Sequence, residues 1–194
     1  MKSNKSKNKS LLILVVGLWV GVFLGAGTLW ALNWLGVISL DLDQLGLSLD
    51  SEIAPSKDMP APDFSLSNLQ NQQVSLSDMQ DKVIVLNFWA TWCAPCVQEM
   101  IFFQKAQERY PENMLVLAIN QEEKPDVVRG FIQDMGFTLE VLLDESGQVT
   151  KLFKVLALPN TFFIDQQGVI RFHHMGSLSE EQLDVYLVQM GLTP

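Results

Sequence analysis

The sequence predicts an α/β fold, a mixed central sheet flanked by helices, preceded by one N-terminal transmembrane helix. Three observations lead there. Apolar runs rich in β-branched and aromatic residues alternate with helix-length segments from Val83 onward, the pattern of strands joined by crossover helices. Two short β-forming runs around Gly168 and a last helical segment then close the chain, which makes the sheet mixed. Ahead of all of this, Leu11 to Leu40 carries no charged residue.

Residues 1–10 form a basic tail containing Lys2, Lys5, Lys7 and Lys9. Residues 11–35 are expected to be a membrane anchor: Leu11 to Leu32 as a helix spans roughly 33 Å, enough to cross a bilayer core. A cleavable signal peptide usually has an apolar region of about 7 to 15 residues, so this run is too long, although Gly25-Ala26-Gly27 is a weak cleavage signal. The lysines precede the span and Asp41, Asp43 and Asp50 follow it, which places the N-terminus in the cytoplasm and the rest outside. Trp30 and Trp34 fit the outer headgroup region. Gly17, Gly21 and Gly25 share one helix face, but glycine is common in membrane helices and no dimer is assigned to them.

Residues 36–60 mix acids, serine, glycine and proline without sustained periodicity and read as a linker. Residues 61–194 read as one globular domain without internal repeats. Short strands are expected at Phe64–Leu66 and Val74–Leu76 around a turn at Asn71-Gln72-Gln73. Ser77 with Gln80 resembles a capping box opening one helical turn. Val83–Phe88 is continuously apolar, as in a central strand buried on both faces. A helix follows from Ala94 to Tyr110, stopped by Pro111, and then a buried strand at Met114–Asn120. Pro125 and Gly136 bracket the next helix. The rest reads as a strand at Leu139–Leu143, a helix near Gln148–Phe153, strands at Thr161–Ile164 and Val169–His174, and a helix from Ser179 to Met190.

Charge and cysteine count narrow the chemistry. Of 13 Lys and Arg, four lie in the first ten residues, leaving 9 against 22 acids and a charge of −13 on the remainder. Such an acidic part with no basic stripe excludes nucleic acid as the partner, because phosphate binding needs clustered cations. The two cysteines, Cys93 and Cys96, rule out a multiply stapled scaffold and a four-cysteine metal site. No metal is expected, since His173 and His174 are adjacent and on a strand point to opposite faces. No cofactor is expected either.

Trp92-Cys93-Ala94-Pro95-Cys96 follows a buried strand and opens a helix. The strand fixes Cys93 at a loop tip, and the helix N-terminus supplies free N–H groups and a positive dipole end that lower a thiol pKa. Cys93 is therefore the expected nucleophile and Cys96, one turn inside, the resolving thiol. As a mere staple the pair would close a very short loop worth roughly 2 kcal/mol and would need no such placement.

The run Val83-Ile-Val-Leu-Asn-Phe-Trp-Ala-Thr-Trp-Cys-Ala-Pro-Cys96, with Glu99-Met100 behind it and Leu158-Pro159-Asn160-Thr161-Phe162-Phe163-Ile164-Asp165 downstream, resembles the membrane-anchored thioredoxin-like proteins of the TlpA/ResA type over residues 60–194. The resemblance implies a thioredoxin-like fold and a thiol-disulfide oxidoreductase at the cytoplasmic membrane, its domain on the periplasmic or extracytoplasmic side. It implies a reductase of protein disulfides, with apocytochrome c as a substrate class, fed by a membrane electron donor. Pro159 matches the family's cis-proline, and the backbone of Leu158 matches the residue that pairs with an extended substrate, beside Trp92. Glu99 matches the family's acidic residue one turn after Cys96; otherwise it is a solvated helix residue. Thioredoxin itself has a buried Asp where Asn87 stands, and Asn cannot take a proton, so proton transfer falls to Glu99 or water. Ile101 replaces a proline common in the family, which removes the expected helix kink, and Val155-Leu-Ala-Leu158 lacks the glycine common in cytochrome-maturation members. Two other functions compete: a peroxiredoxin-like peroxidase, which would not need a second cysteine three residues on, and a non-catalytic module holding clients at Leu158-Pro159.

Overall fold

In a computed structural model, the described residues are 54–79 and 81–193. The anchor, the basic tail, most of the linker and Gln80 of the capping box lie outside them. Among the described residues no helix is long and apolar enough to cross a membrane.

Strands β1 (Ser65–Asn68), β2 (Gln73–Ser75), β3 (Val83–Trp89), β4 (Met114–Gln121), β5 (Glu140–Asp144), β6 (Asn160–Ile164) and β7 (Ile170–Met175) form one sheet in the order β2-β1-β5-β4-β3-β6-β7. The pairs β3–β4 and β4–β5 are parallel, and β3–β6, β6–β7, β1–β2 and β1–β5 are antiparallel. The sheet is mixed, as expected. Helices α1 (Ala94–Arg109), α2 (Pro125–Met135), α3 (Gln148–Leu152) and α4 (Glu180–Gln189) connect or follow the strands. A 3₁₀ turn at Leu76–Met79 replaces the helical turn read at Ser77.

Every residue of β3 is buried, and its alternate side chains feed two cores. Val83, Val85 and Trp89 join Met100 and Phe103 of α1, Val128 of α2 and Leu183 of α4 on one face. Ile84, Leu86 and Phe88 join Phe64, Phe153 and Phe162 on the other. Phe153 ties this second core together, its ring 5.2 Å from Phe162 and 5.5 Å from Phe88. Burying a side chain such as Phe103 contributes roughly 1.5–3 kcal/mol. The caps also follow the sequence. Pro125 opens α2 and Gly136 ends it at φ 69°, a left-handed conformation that costs glycine little. Ser179 and Gln182 make a complete capping box at α4.

Asp144 ends β5 and organises α3. Its buried carboxylate accepts hydrogen bonds from the backbone N–H of Val149 (3.2 Å) and Thr150 (2.7 Å) and from the Thr150 hydroxyl (2.8 Å). Asp144→Ala leaves these donors without their acceptor and should destabilise the domain by about 3 kcal/mol. A urea midpoint close to that of the parent would refute this role.

The stretch read as the end of the linker folds with the domain. Asp58 N–H donates to Ile170 O (2.7 Å), Ile170 N–H to Met59 O (2.9 Å) and Ala61 N–H to Gly168 O (2.8 Å). Arg171 holds Asp58 at 3.0 Å and Asp165 at 2.6 Å. Lys57, Val83, Asn113 and Asp165 line a cleft there together with Met190 and Leu192 beyond α4. This cleft lies where β3 begins and β6 ends.

Candidate active site

β3 ends at Trp89, and a short loop delivers Cys93 to the N-cap of α1. The loop is tightened by Cys93 N–H donating to Ala90 O at 3.1 Å, and Val97 N–H donates to Cys93 O at 3.2 Å to start the helix. Pro95 sits in the first turn, where its missing N–H costs nothing. Cys93 and Cys96 are joined by a disulfide with Cα atoms 5.3 Å apart. Cys96 is fully buried, while Cys93 keeps 5% of its surface exposed, so an incoming group reaches Cys93. Trp92 beside it is 72% exposed.

The Leu158–Pro159 bond is cis, and Pro159 O accepts from Gly176 N–H at 3.0 Å. The antiparallel register of β3 and β6 pairs Phe88 with Asn160, so Leu158 follows on toward the cysteine loop. Its side chain packs against the core cluster containing Cys93 and Cys96. Among the described residues, neither the N–H nor the C=O of Leu158 has a hydrogen-bond partner, which leaves both open to an extended chain.

Glu99 is not a solvated helix residue. It is fully buried on α1, which runs unbroken past Ile101. Its Oε1 accepts from Asn87 Nδ2 at 2.7 Å and its Oε2 from the Leu178 backbone N–H at 2.9 Å. Burial raises its pKa from 4.5 to about 7, against the opposing pull of the Leu178 and Asn87 hydrogen bonds. Asn87 also donates to Thr161 Oγ1 at 3.0 Å. The site thus unites Cys93, Cys96, Glu99, Leu158 and Pro159, with Trp92 on its rim.

Three contributors escaped the sequence reading. Glu123, just after β4, accepts from Thr91 N–H at 2.7 Å, from the Thr91 hydroxyl and from Asn120 Nδ2 at 2.7 Å, pinning the loop two residues before Cys93. The Leu178 N–H holds Glu99 directly, and Thr161 Oγ1 accepts the second hydrogen bond of Asn87 Nδ2. His173 and His174 project from opposite faces of β7 as expected, one stacked 4.0 Å from the Phe162 ring and the other 3.2 Å from the Tyr186 hydroxyl. Among the described residues no three His, Cys, Asp or Glu side chains form a metal-binding group. A dithiol that closes to a disulfide itself carries two electrons.

Residues 58–173 match the AhpC/TSA family. The thioredoxin-like protein YneN of Bacillus subtilis is 35% identical over 136 residues, covering 69% of this chain and 79% of that protein. The thiol-disulfide oxidoreductase ResA of Bacillus cereus is 30% identical over 153 residues, covering 78% and 87%. The crystal structure of StoA from Bacillus subtilis superimposes with a TM-score of 0.57 at 25% identity, covering 66% of this chain and 98% of that one.

Proposed function

The chain belongs to the AhpC/TSA family and is a thiol-disulfide oxidoreductase, and from that premise we propose that it works as a reductase of protein disulfides outside the cytoplasmic membrane. In the reduced protein, the Cys93 thiolate attacks a client disulfide, forming a mixed disulfide and releasing one client thiolate. Cys96 then gives up its proton and attacks Cys93 Sγ, which frees the second client thiolate and closes the Cys93–Cys96 bond. Glu99, one turn from Cys96 and titrating near neutrality, is the group that accepts this proton and passes it on. The client segment lies extended along Leu158, with Trp92 against its side chains.

The observation that carries the reductase direction is the charge around Cys93. A strong oxidant needs its thiolate stabilised by cations or donors. Here the intervening residues are Ala94 and Pro95, which bring no cation and remove one N–H, and the acid Glu99 lies one turn beyond Cys96. The helix dipole is left as the stabilising influence. Equilibration against glutathione should therefore give a potential nearer the thioredoxin value of about −270 mV than the oxidising end near −120 mV. A value above roughly −180 mV would make the protein an oxidase or isomerase.

The rest of the reading concerns place and partners. Residues 11–35 anchor the chain with its N-terminus in the cytoplasm, a membrane electron donor re-reduces the disulfide, and apocytochrome c with its C-x-x-C-H site is a client class. A protease added to intact spheroplasts should digest the domain, and a protected domain would refute the orientation.

A further inference from the structure

Asn87 occupies a position where its two ends cannot both be satisfied. Its Nδ2 donates to Glu99 Oε1 and Thr161 Oγ1, while its Oδ1 is buried and has no partner among the described residues. Amide nitrogen toward both oxygens is the arrangement an ionised Glu99 requires, since a carboxylate only accepts. Protonation changes the requirement. Oε2 already accepts the fixed Leu178 N–H, so an added proton belongs on Oε1, facing Asn87. Two donors would then confront each other across 2.7 Å. A half-turn of the carboxamide removes this donor–donor conflict: Oδ1 accepts from the Glu99 O–H and from the Thr161 hydroxyl, which donates as readily as it accepts, and Nδ2 takes over the buried place where Oδ1 had no partner among the described residues. The side chain need not leave its place, because the two orientations have the same shape.

We propose that Asn87 is a positioning residue whose carboxamide reverses each time Glu99 gains or loses a proton, so that amide orientation and Glu99 charge change together. The inference rests on the reading that Glu99 exchanges protons during the reaction. Glu99 is bonded by Asn87 from β3 and by the Leu178 N–H ahead of α4; Thr161 from β6 reaches it through Asn87, and Cys96 lies one turn before it on α1. His174 on β7 is engaged by Tyr186 and Ser177. Asn87 is thus the side chain among these that can turn either a donor or an acceptor toward Glu99.

The test uses the full chain, oxidised, in detergent micelles, with ¹⁵N-asparagine and ¹³C-glutamate labels, followed by NMR from about pH 5 to about pH 9. The Asn87 side-chain amide and the Glu99 carboxyl carbon should titrate with one midpoint. A Glu99 that titrates beside a pH-independent Asn87 overturns the proposal and leaves proton exchange by Glu99 standing; a Glu99 that does not titrate ends both. Glu99→Gln supplies a second arm. Its oxygen must accept from Leu178, so its amide faces Asn87 and fixes Asn87 reversed at every pH, with the low-pH signals of the parent. High-pH signals in that variant would overturn the proposal. In Asn87→Leu the Glu99 midpoint should move up by about one pH unit, for lack of a donor to the carboxylate. An unchanged midpoint would count against the coupling.

Discussion

Replacing Cys93 with serine should reduce turnover of a protein disulfide to the uncatalysed background, whereas Cys96→Ser should leave the first attack intact and stall after it. The asymmetry follows from position. Cys93 has the exposed edge and the helix N-terminus, while Cys96 is fully buried and reaches only a sulfur already attached to Cys93. A serine at 96 cannot displace the client, so Cys96→Ser should accumulate a mixed disulfide that dithiothreitol releases. Insulin reduction and non-reducing electrophoresis read the two effects separately. Residual turnover in Cys93→Ser, or trapping through Cys96 instead, would reverse the assigned roles. Clients trapped by Cys96→Ser in cells that make the protein would name the substrates.

The second large effect is on stability. Burial raises the Glu99 pKa from 4.5 to about 7, so between those values the folded protein holds a proton that the unfolded chain has released. The contribution is therefore fully present below pH 4.5 and is lost as pH rises to about 7. The loss amounts to about 3 kcal/mol. Glu99→Gln abolishes the charge, so its stability relative to the parent should rise by up to about 3 kcal/mol between acid and pH 8. Urea denaturation of both oxidised proteins at the two pH values measures this. An equal difference at both would mean that Glu99 carries no such penalty.

Much of this arrangement was legible because it is local. The continuous apolar run Val83–Phe88 announced a strand buried on both faces, and Pro125, Gly136 and Ser179 marked helix ends within a residue of where they fall. The C-x-x-C spacing between a strand and a helix singles out Cys93 and Cys96, whereas Glu99 is singled out only through the family resemblance. What stayed hidden depends on residues far apart in sequence. Nothing in Ser65–Asn68 says that β1 lies beside β5, since pairing across such distances has no local signature. Glu123 reads as a solvated loop acid until Thr91 and Asn120 are seen on it. The Leu178 contribution is a backbone N–H, which any residue supplies. Glu99 lies on the expected helix, but the groups that hold its carboxyl come from β3 and from the segment ahead of α4, not from its own helix. Asp58–Pro60 reads as linker because a few backbone hydrogen bonds to Gly168 and Ile170 and the Arg171–Asp58 ion pair, rather than a strand pattern, bind this stretch.

The cleft lined by Lys57 and Leu192 brings both ends of the folded unit together at the foot of β3, with the disulfide beyond its head. Seven strand residues separate these poles, about 20 Å at roughly 3.3 Å per residue. Cargo fused on either side, a bead, an electrode or a second enzyme, would thus hang from the blunt pole and leave the redox pole uncovered. The unit has the geometry of a plug-in cartridge: two leads at the back, one working contact at the front, and no need for a long spacer to keep them apart.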